Sequence, residues 1–187
     1  MQARRKTRFR VFAEPCTTLV NNPDYYLYYF GVWEPRLART LERLVRPGDI
    51  CVDAGANIGW YTVLLAKLVG HGGQVHAFEP DARAFSRLVD HIALNDVEDI
   101  VSAAQVALGR ERGVASLNAA GDSLYSSLYA VPHVVSADAF HVTAVSVMPL
   151  TDYLADAGVE RLDMLKIDVE GAEWDVLRGV EEFLGAQ

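Results

Sequence analysis

Residues 53–59 read Asp53-Ala54-Gly55-Ala56-Asn57-Ile58-Gly59, and the apolar run Ile50-Cys51-Val52 leads into them. A short apolar run that ends at an acidic residue is typical of a buried parallel strand. Over residues 58–69 apolar side chains continue densely enough for a helix packed on a sheet, and Gly70 stops it. The stretch therefore predicts a glycine-containing loop between a strand and a helix.

Strand and helix patterns alternate along the rest of the chain. Further strands are predicted over residues 74–78, 100–106 and 162–167. The helix after the second strand is predicted to stop at Asn95 and to bury a stripe of Phe85, Leu88, Val89 and Ile92. Thr151 is predicted to cap a short helix over residues 152–157. A last helix carries Trp174, Leu177 and Val180.

This alternation implies right-handed crossovers and a Rossmann-like α/β fold with a doubly wound, mostly parallel sheet. Residues 113–147 change to polar turns and short alternating segments, and they are interpreted as an insertion near the active face with a strand over residues 142–147. We expect residues 1–46 to form an N-terminal segment on the acceptor side and residues 47–187 to form the ligand-binding domain. Ligands of such sheets bind at the carboxyl ends of the strands.

Composition narrows the class of protein. The 187 residues, 51% of them hydrophobic, suit a single core. No apolar run reaches the roughly 18 residues needed to cross a bilayer, so a cytoplasmic protein without membrane contact is expected. The net charge of −8 disfavours a nucleic-acid partner. Two cysteines suggest no disulfide framework, and the histidines show no metal-ligand spacing, so no metal is predicted.

The loop after the first strand departs from the dinucleotide fingerprint. It reads G-x-N-x-G rather than G-x-G-x-x-G, and Asp53 precedes the first glycine. An acid at the strand tip suits a cationic ligand better than a pyrophosphate, and S-adenosylmethionine carries an ammonium and a sulfonium. Glu79 ends the second strand, where an acid accepts hydrogen bonds from ribose hydroxyls. NAD would also use such an acid, so the choice between the two cofactors depends on Asp53 and Asn57.

Three blocks of the chain resemble the FkbM family of methyltransferases in their order and spacing. They are residues 52–62 around the glycine loop, Phe78-Glu79-Pro80, and residues 165–173, which read LKIDVEGAE. The resemblance extends to Gly31-Val32-Trp33-Glu34 ahead of the first strand. It implies methyl transfer from S-adenosylmethionine to a hydroxyl of a sugar, a polyketide or another small metabolite. The candidate cofactor-binding residues are Glu34, Asp53, Gly55, Ala56, Asn57, Gly59, Glu79 and Asp168.

The candidate catalytic residues are Lys166, Asp168 and Glu170. Period-two alternation is expected to place them on one side of the terminus of the last strand, which should pair with the first. We predict Asp168 as the base or orienter of the acceptor, with Glu170 supporting it and Lys166 tuning its charge. His133 is the second candidate for the base. A self-neutralising charge cluster is the structural alternative.

Two other functions stay open on the residues alone. One is an NAD-dependent oxidoreductase of the same fold, and the other is a non-catalytic cofactor-binding module. The chain stops soon after the helix that follows the last strand, which predicts a shortened form lacking the C-terminal strands. The last strand would then be an open edge or the contact of a homodimer.

Overall fold

The computed structural model describes residues 5–11, 14–20, 34–120, 126–128 and 140–186. The strands in this part of the chain are β1 Arg5–Val11, β2 Glu14–Val20, β3 Ile50–Ala54, β4 Gln74–Phe78, β5 Val101–Ala104, β6 Ala107–Leu108, β7 Gly113–Ala120, β8 Ser126–Ser127, β9 Phe140–Met148 and β10 Met164–Ile167. The helices are α1 Pro35–Leu44, α2 Trp60–Val69, α3 Ala82–Leu94, α4 Leu150–Asp156, α5 Glu173–Arg178 and α6 Glu181–Gly185, and a 3-10 turn spans Gly70–Gly72.

The central sheet has the strand order β10-β3-β4-β5, and every pair in it is parallel. This confirms the predicted α/β class and the pairing of the last strand with the first. In the register, Lys166 lies opposite Asp53, and Asp53 lies opposite Ala77. The carboxyl ends of β10, β3 and β4 therefore meet at one edge, where ligands of parallel sheets bind.

Alternation along the strands divides the core between the two faces of the sheet. Cys51 and Val75 belong to a cluster with residues of α1, α2 and α3. Val52 and Phe78, which belong to the opposite face of the sheet, pack with residues of α4 and of the segment containing α5 and α6. Because successive side chains of a strand point to opposite faces, one run of apolar residues fills both layers.

Helix α3 matches its prediction except on one side. The Asp81 carboxylate caps it by accepting hydrogen bonds from the backbone N–H groups of Arg83 and Ala84 at 2.8 and 3.0 Å. The helix ends before Asn95, as expected. Leu88 is fully buried, but Val89 is 45% exposed. Val89 therefore lies outside the apolar stripe that the spacing predicted.

The predicted insertion forms a second sheet with the order β6-β9-β7-β8. Its main unit is the antiparallel pair of β7 and β9, which confirms a strand over residues 142–147. The predicted strand over residues 100–106 is wrong in extent. The chain leaves the central sheet after Ala104, and β6 then pairs in parallel with residues 147–148 of β9.

The last third of the chain corrects two helix predictions. Thr151 does not cap α4, because the helix already begins at Leu150 behind Pro149. Trp174 and Leu177 are 64% and 40% exposed, and the buried residues of this segment are Val176 and Val180. A break at Gly179 separates α5 from α6, and Val180 lies between the two helices, so the single last helix that was predicted is wrong. Continuous helical spacing could not anticipate that break.

The edge position of β10 agrees with the expected open edge. Among the described strands its neighbour is β3, on one side only. Association of this edge with a second chain stays a prediction. No helix within the described ranges is both long and apolar enough to span a membrane, and the cytoplasmic location likewise stays a prediction.

Replacing Gly59 by alanine tests the packing of α2 against α3. Gly59 has φ +89, and a Cβ built on it would lie 2.6 Å from Leu88 Cδ1. We expect Gly59→Ala to lower the free energy of unfolding by about 2 to 4 kcal/mol, because backbone strain and overpacking add. Urea denaturation measures the loss.

Gly158→Ala is the matched control for this substitution. Gly158 also has a positive φ, +67, but a Cβ there would meet no atom within 4 Å. It should therefore show only the backbone cost of about 1 kcal/mol. Equal losses in the two variants would contradict the contact with Leu88.

Candidate functional site

The loop at residues 55–59 satisfies most of its own backbone donors. The N–H groups of Gly55 and Ala56 both donate to the Phe78 carbonyl, at 3.0 and 2.9 Å. Gly59 N–H donates to the Ala56 carbonyl. Asn57 N–H donates to the carboxylate of Glu79, the residue that follows β4. These four N–H groups are therefore already bonded within the protein.

The loop glycines make room for neighbouring protein. Gly55 has φ +75, and a Cβ on it would lie 1.9 Å from the carbonyl oxygen of Asp168. Gly59 faces Leu88 of α3 in the same manner. Both glycines are candidate cofactor-binding residues, and the structure shows that each also allows close approach of protein, of the residue after β10 in one case and of α3 in the other. Ala56, another cofactor candidate, is buried.

Asp53 is a buried anchor of the site. Its side chain is 0% exposed, and its carboxylate accepts a hydrogen bond from Thr62 Oγ1 at 2.7 Å. The other carboxylate oxygen lies 3.0 Å from Lys166 Nζ. In this arrangement Asp53 holds the loop and β10 together and has no surface left for a ligand. The predicted contact of Asp53 with a cofactor ammonium is therefore replaced by its contact with the Lys166 ammonium.

Lys166 joins the loop to the end of β10. Besides Asp53, its ammonium donates to the Gly55 carbonyl at 3.0 Å and lies 3.6 Å from Asp168 Oδ2. It also lies 5.3 Å from the centre of the Tyr61 ring. Burial alone would lower the pKa of Lys166, but the carboxylates of Asp53 and Asp168 outweigh it and raise the pKa. Lys166 therefore stays charged and does not serve as a base.

Asp168 is the exposed member of this charge cluster. Its side chain is 58% exposed, while that of Lys166 is 7% exposed. Glu170 does not continue the alternation, because β10 ends at Ile167 and Glu170 sits in a turn with φ +53. The prediction that Lys166, Asp168 and Glu170 share one side of a strand is wrong for Glu170. Burial and the negative charges of the nearby Asp168 and Glu173 carboxylates nevertheless raise the pKa of Glu170. Glu170 therefore lies near the charge cluster.

Glu79 links two loops at the end of β4. Its oxygens accept backbone hydrogen bonds from Asn57 N–H and Asp81 N–H, both at 2.8 Å. Burial raises the pKa of Glu79 to about 7, although the two N–H donors act in the opposite direction. Each carboxylate oxygen has two lone pairs, so each can still accept one further donor. Asn57 has φ +49, and its Oδ1 has no hydrogen-bond partner among the described residues.

Glu34 reaches the site through Tyr61. Tyr61, in the first turn of α2, donates its hydroxyl hydrogen bond to Glu34 Oε2 at 2.8 Å. Burial and the hydrogen bond to Glu34 raise the pKa of Tyr61. Glu34 itself is exposed and precedes α1. The structure thus brings Glu34, Lys166 and Asp168 to the same end of β3.

A cavity of about 430 Å³ is lined by Pro80, the residue after Glu79 in the sequence. Its walls are the segment before and at the start of α3 and the β7 and β9 strands of the second sheet. The lining residues include Pro80, Asp81, Gln105, Thr143 and Ser146. Its volume lies in the range of about 300 to 1,000 Å³ that is common for small-molecule sites.

Sequence analysis missed Thr62 and Tyr61 as site residues. Both lie in the first turn of α2, a position that faces the strand end in this fold, but an apolar helix pattern carries no signal for a hydroxyl aimed back at Asp53. The second candidate base, His133, lies outside the described residues.

Comparisons with known proteins add the chemistry. Residues 53–187 match the family described as methyltransferase FkbM domain. Methyltransferase sdnD of Sordaria araneosa is 35% identical over 156 residues, which cover 70% of this chain and 60% of that protein. The 31-O-demethyl-FK506 methyltransferase FkbM of Streptomyces tacrolimicus is 32% identical over 163 residues, which cover 74% of this chain and 62% of that protein.

Among solved structures, a SAM-dependent O-methyltransferase of Thermotoga maritima is similar to this chain with a TM-score of 0.38 and 18% identity, over 49% of this chain and 36% of that one. The matches to the relatives from Sordaria araneosa and Streptomyces tacrolimicus cover 60% and 62% of those proteins, so the chain spans about three fifths of their length.

Lys166→Met tests the buried ion pair. The substitution removes the ammonium and leaves the fully buried Asp53 carboxylate without a counter-charge. We expect the free energy of unfolding to fall by about 3 to 5 kcal/mol. The double variant Asp53→Asn, Lys166→Met should lose less than Lys166→Met alone, because no buried charge remains. A larger loss in the double variant would contradict the pairing.

Proposed function

Because the chain belongs to the FkbM methyltransferase family, whose cofactor is S-adenosylmethionine, we propose that it transfers the methyl group of this cofactor to a hydroxyl oxygen of a small molecule. The observation that carries the proposal is the exposed Asp168 carboxylate, whose backbone packs directly on Gly55 of the cofactor loop. The relative from Streptomyces tacrolimicus, named for an O-demethyl substrate, supports oxygen as the acceptor atom.

The residues present suit S-adenosylmethionine. The free lone pairs of Glu79 are available to ribose hydroxyls, and the unpartnered Asn57 Oδ1 offers a further acceptor. The cavity lined by Pro80 and Asp81 has room for a base. The carboxylates of Glu79 and Asp168 favour a ligand with an ammonium and a sulfonium.

The same loop argues against NAD. A pyrophosphate needs a set of free backbone N–H groups at the glycine loop. Here the N–H groups of Gly55, Ala56, Asn57 and Gly59 all have protein partners. Methyl transfer is therefore favoured over hydride transfer.

In the proposed reaction Asp168 orients the acceptor and takes its proton. S-adenosylmethionine supplies a methyl group activated by its positive sulfur. An exposed carboxylate at the strand terminus can accept the hydrogen bond of an acceptor hydroxyl. It would then take the proton as the oxygen–carbon bond forms and the methyl–sulfur bond breaks, with the sulfur leaving as a neutral thioether. Lys166 lies 3.6 Å away and keeps Asp168 from being a wholly uncompensated charge. Glu170 adds a second carboxylate nearby.

Transfer of an isotope-labelled methyl group tests the function. The probes are sugar and polyketide alcohols, each paired with the same molecule lacking the hydroxyl. Mass spectrometry should find the label on oxygen in the alcohol alone. Label on nitrogen or carbon, or cofactor binding with no transfer to any alcohol, would contradict the proposal and favour the non-catalytic alternative.

Asp168→Asn should retain binding of S-adenosylhomocysteine and lower turnover roughly 100-fold or more, because the base is lost while the loop is intact. Asp99→Asn is the control, since Asp99 has a similar exposure, 62% against 58%, and lies at the other end of the sheet beside His71. It should leave turnover unchanged. Full activity of Asp168→Asn would assign the base elsewhere.

Cofactor affinity should depend on the ionisation of Glu79. Ribose hydroxyls donate hydrogen bonds, so they bind the charged carboxylate better than the protonated acid. Burial raises the pKa of Glu79 to about 7 in the protein without ligand. Affinity for S-adenosylhomocysteine should therefore rise with pH up to about 7, by as much as roughly tenfold per unit, and level off above it. Calorimetric titrations at pH values from about 5.5 to about 8.5 measure this pH dependence of the affinity.

Glu79→Gln supplies the control for this pH dependence. Its amide does not ionise, so affinity should be weaker above pH 7 and nearly flat across the range. The same slope in the variant would mean that another group carries the effect.

A further inference from the structure

Three consecutive residues of the cofactor loop are held by the segment that runs from Glu79 through α3. Glu79 accepts the hydrogen bond of Asn57 N–H, His91 contacts the Ile58 carbonyl, and Leu88 packs on Gly59. Two of these contacts belong to residues already discussed. The third, from His91, has no role in the chemistry described above.

His91 lies on the buried face of α3. The residue is 2% exposed, and its Nδ1 lies 2.5 Å from the carbonyl oxygen of Ile58, 33 positions earlier in the chain. A carbonyl oxygen only accepts hydrogen bonds, so Nδ1 must carry the proton. Loss of this donor would leave a buried carbonyl in the middle of the cofactor loop without its partner.

We propose that His91 is a positioning residue for the cofactor. By holding the Ile58 carbonyl, it fixes the peptide between Ile58 and Gly59 and so the conformation in which Asn57 and Glu79 meet the ligand. Without it, the unliganded loop populates other conformations, and the cofactor binds only the fraction that remains competent. Apparent affinity falls in proportion to that fraction.

Two substitutions separate the donor from the shape of the side chain. His91→Asn keeps a donor, because the asparagine Nδ2 is as many bonds from Cα as the histidine Nδ1. His91→Leu keeps an apolar side chain of moderate size without a donor. Calorimetric titration with S-adenosylhomocysteine should give an affinity about tenfold weaker for His91→Leu and within about threefold of the native chain for His91→Asn.

Ile92→Ala is the control for a general loss of stability. Ile92 is the next residue of α3, is 6% exposed and belongs to the core cluster. It should lower the melting temperature and leave affinity unchanged well below that temperature. If His91→Leu does not fold, His91→Gln, whose donor lies one bond farther out, replaces it and should bind as weakly.

Equal affinities of the native chain and His91→Leu would overturn the role of His91. Equal weakening in His91→Leu and His91→Asn would also overturn it, because shape rather than the donor would then matter. No binding by the native chain would overturn the cofactor assignment itself and the role of His91 with it, so the two failures are distinguishable.

Discussion

A buried ion pair between Lys166 of β10 and Asp53 of β3 holds the ligand-binding edge of the sheet together. The two residues are register partners in adjacent parallel strands, and both side chains are nearly or wholly inaccessible. A buried charge without its partner is costly, so each of them constrains where the other strand can lie. The same ammonium binds the Gly55 carbonyl, and this places the cofactor loop relative to β10 and leaves Asp168 facing outward.

The cofactor loop is therefore fixed from two sides. Lys166 and the backbone of Asp168 contact the loop on one side. Glu79, Leu88 and His91 contact it on the other side. The N–H groups of Gly55, Ala56, Asn57 and Gly59 are bonded within the protein, so the carboxylates of Glu79 and Asp168 are acceptors that remain for a ligand. This explains why a G-x-N-x-G loop after an acidic strand end suits a cationic cofactor, whereas a dinucleotide loop presents free N–H groups to a pyrophosphate.

Periodicity predicted β3 and β4 well because both strands are mostly buried and are followed by Gly55 and Glu79. It failed where the backbone changes direction. Residues 105–106 carry the chain from one sheet to the other, and Gly179 divides the last helix, so the extent of strand 100–106 and the single last helix were wrong. Neither change has a signature in the local spacing of apolar side chains.

The sequence predicted three features that each depend on residues close together in the chain. They are the order of strand, loop and helix around Gly55, the acid at Glu79, and the pair of Lys166 and Asp168. Their partners were not predicted. Asp53 meets Lys166, and Ile58 meets His91, across 113 and 33 positions, distances that only the parallel pairing of β3 with β10 and the packing of α3 bring to hydrogen-bonding range. The sequence alone determined the kind of fold and cofactor. The tertiary structure decided which polar groups are used up inside the protein and which remain for a ligand, since burial and hydrogen-bond partners depend on neighbours distant in the chain.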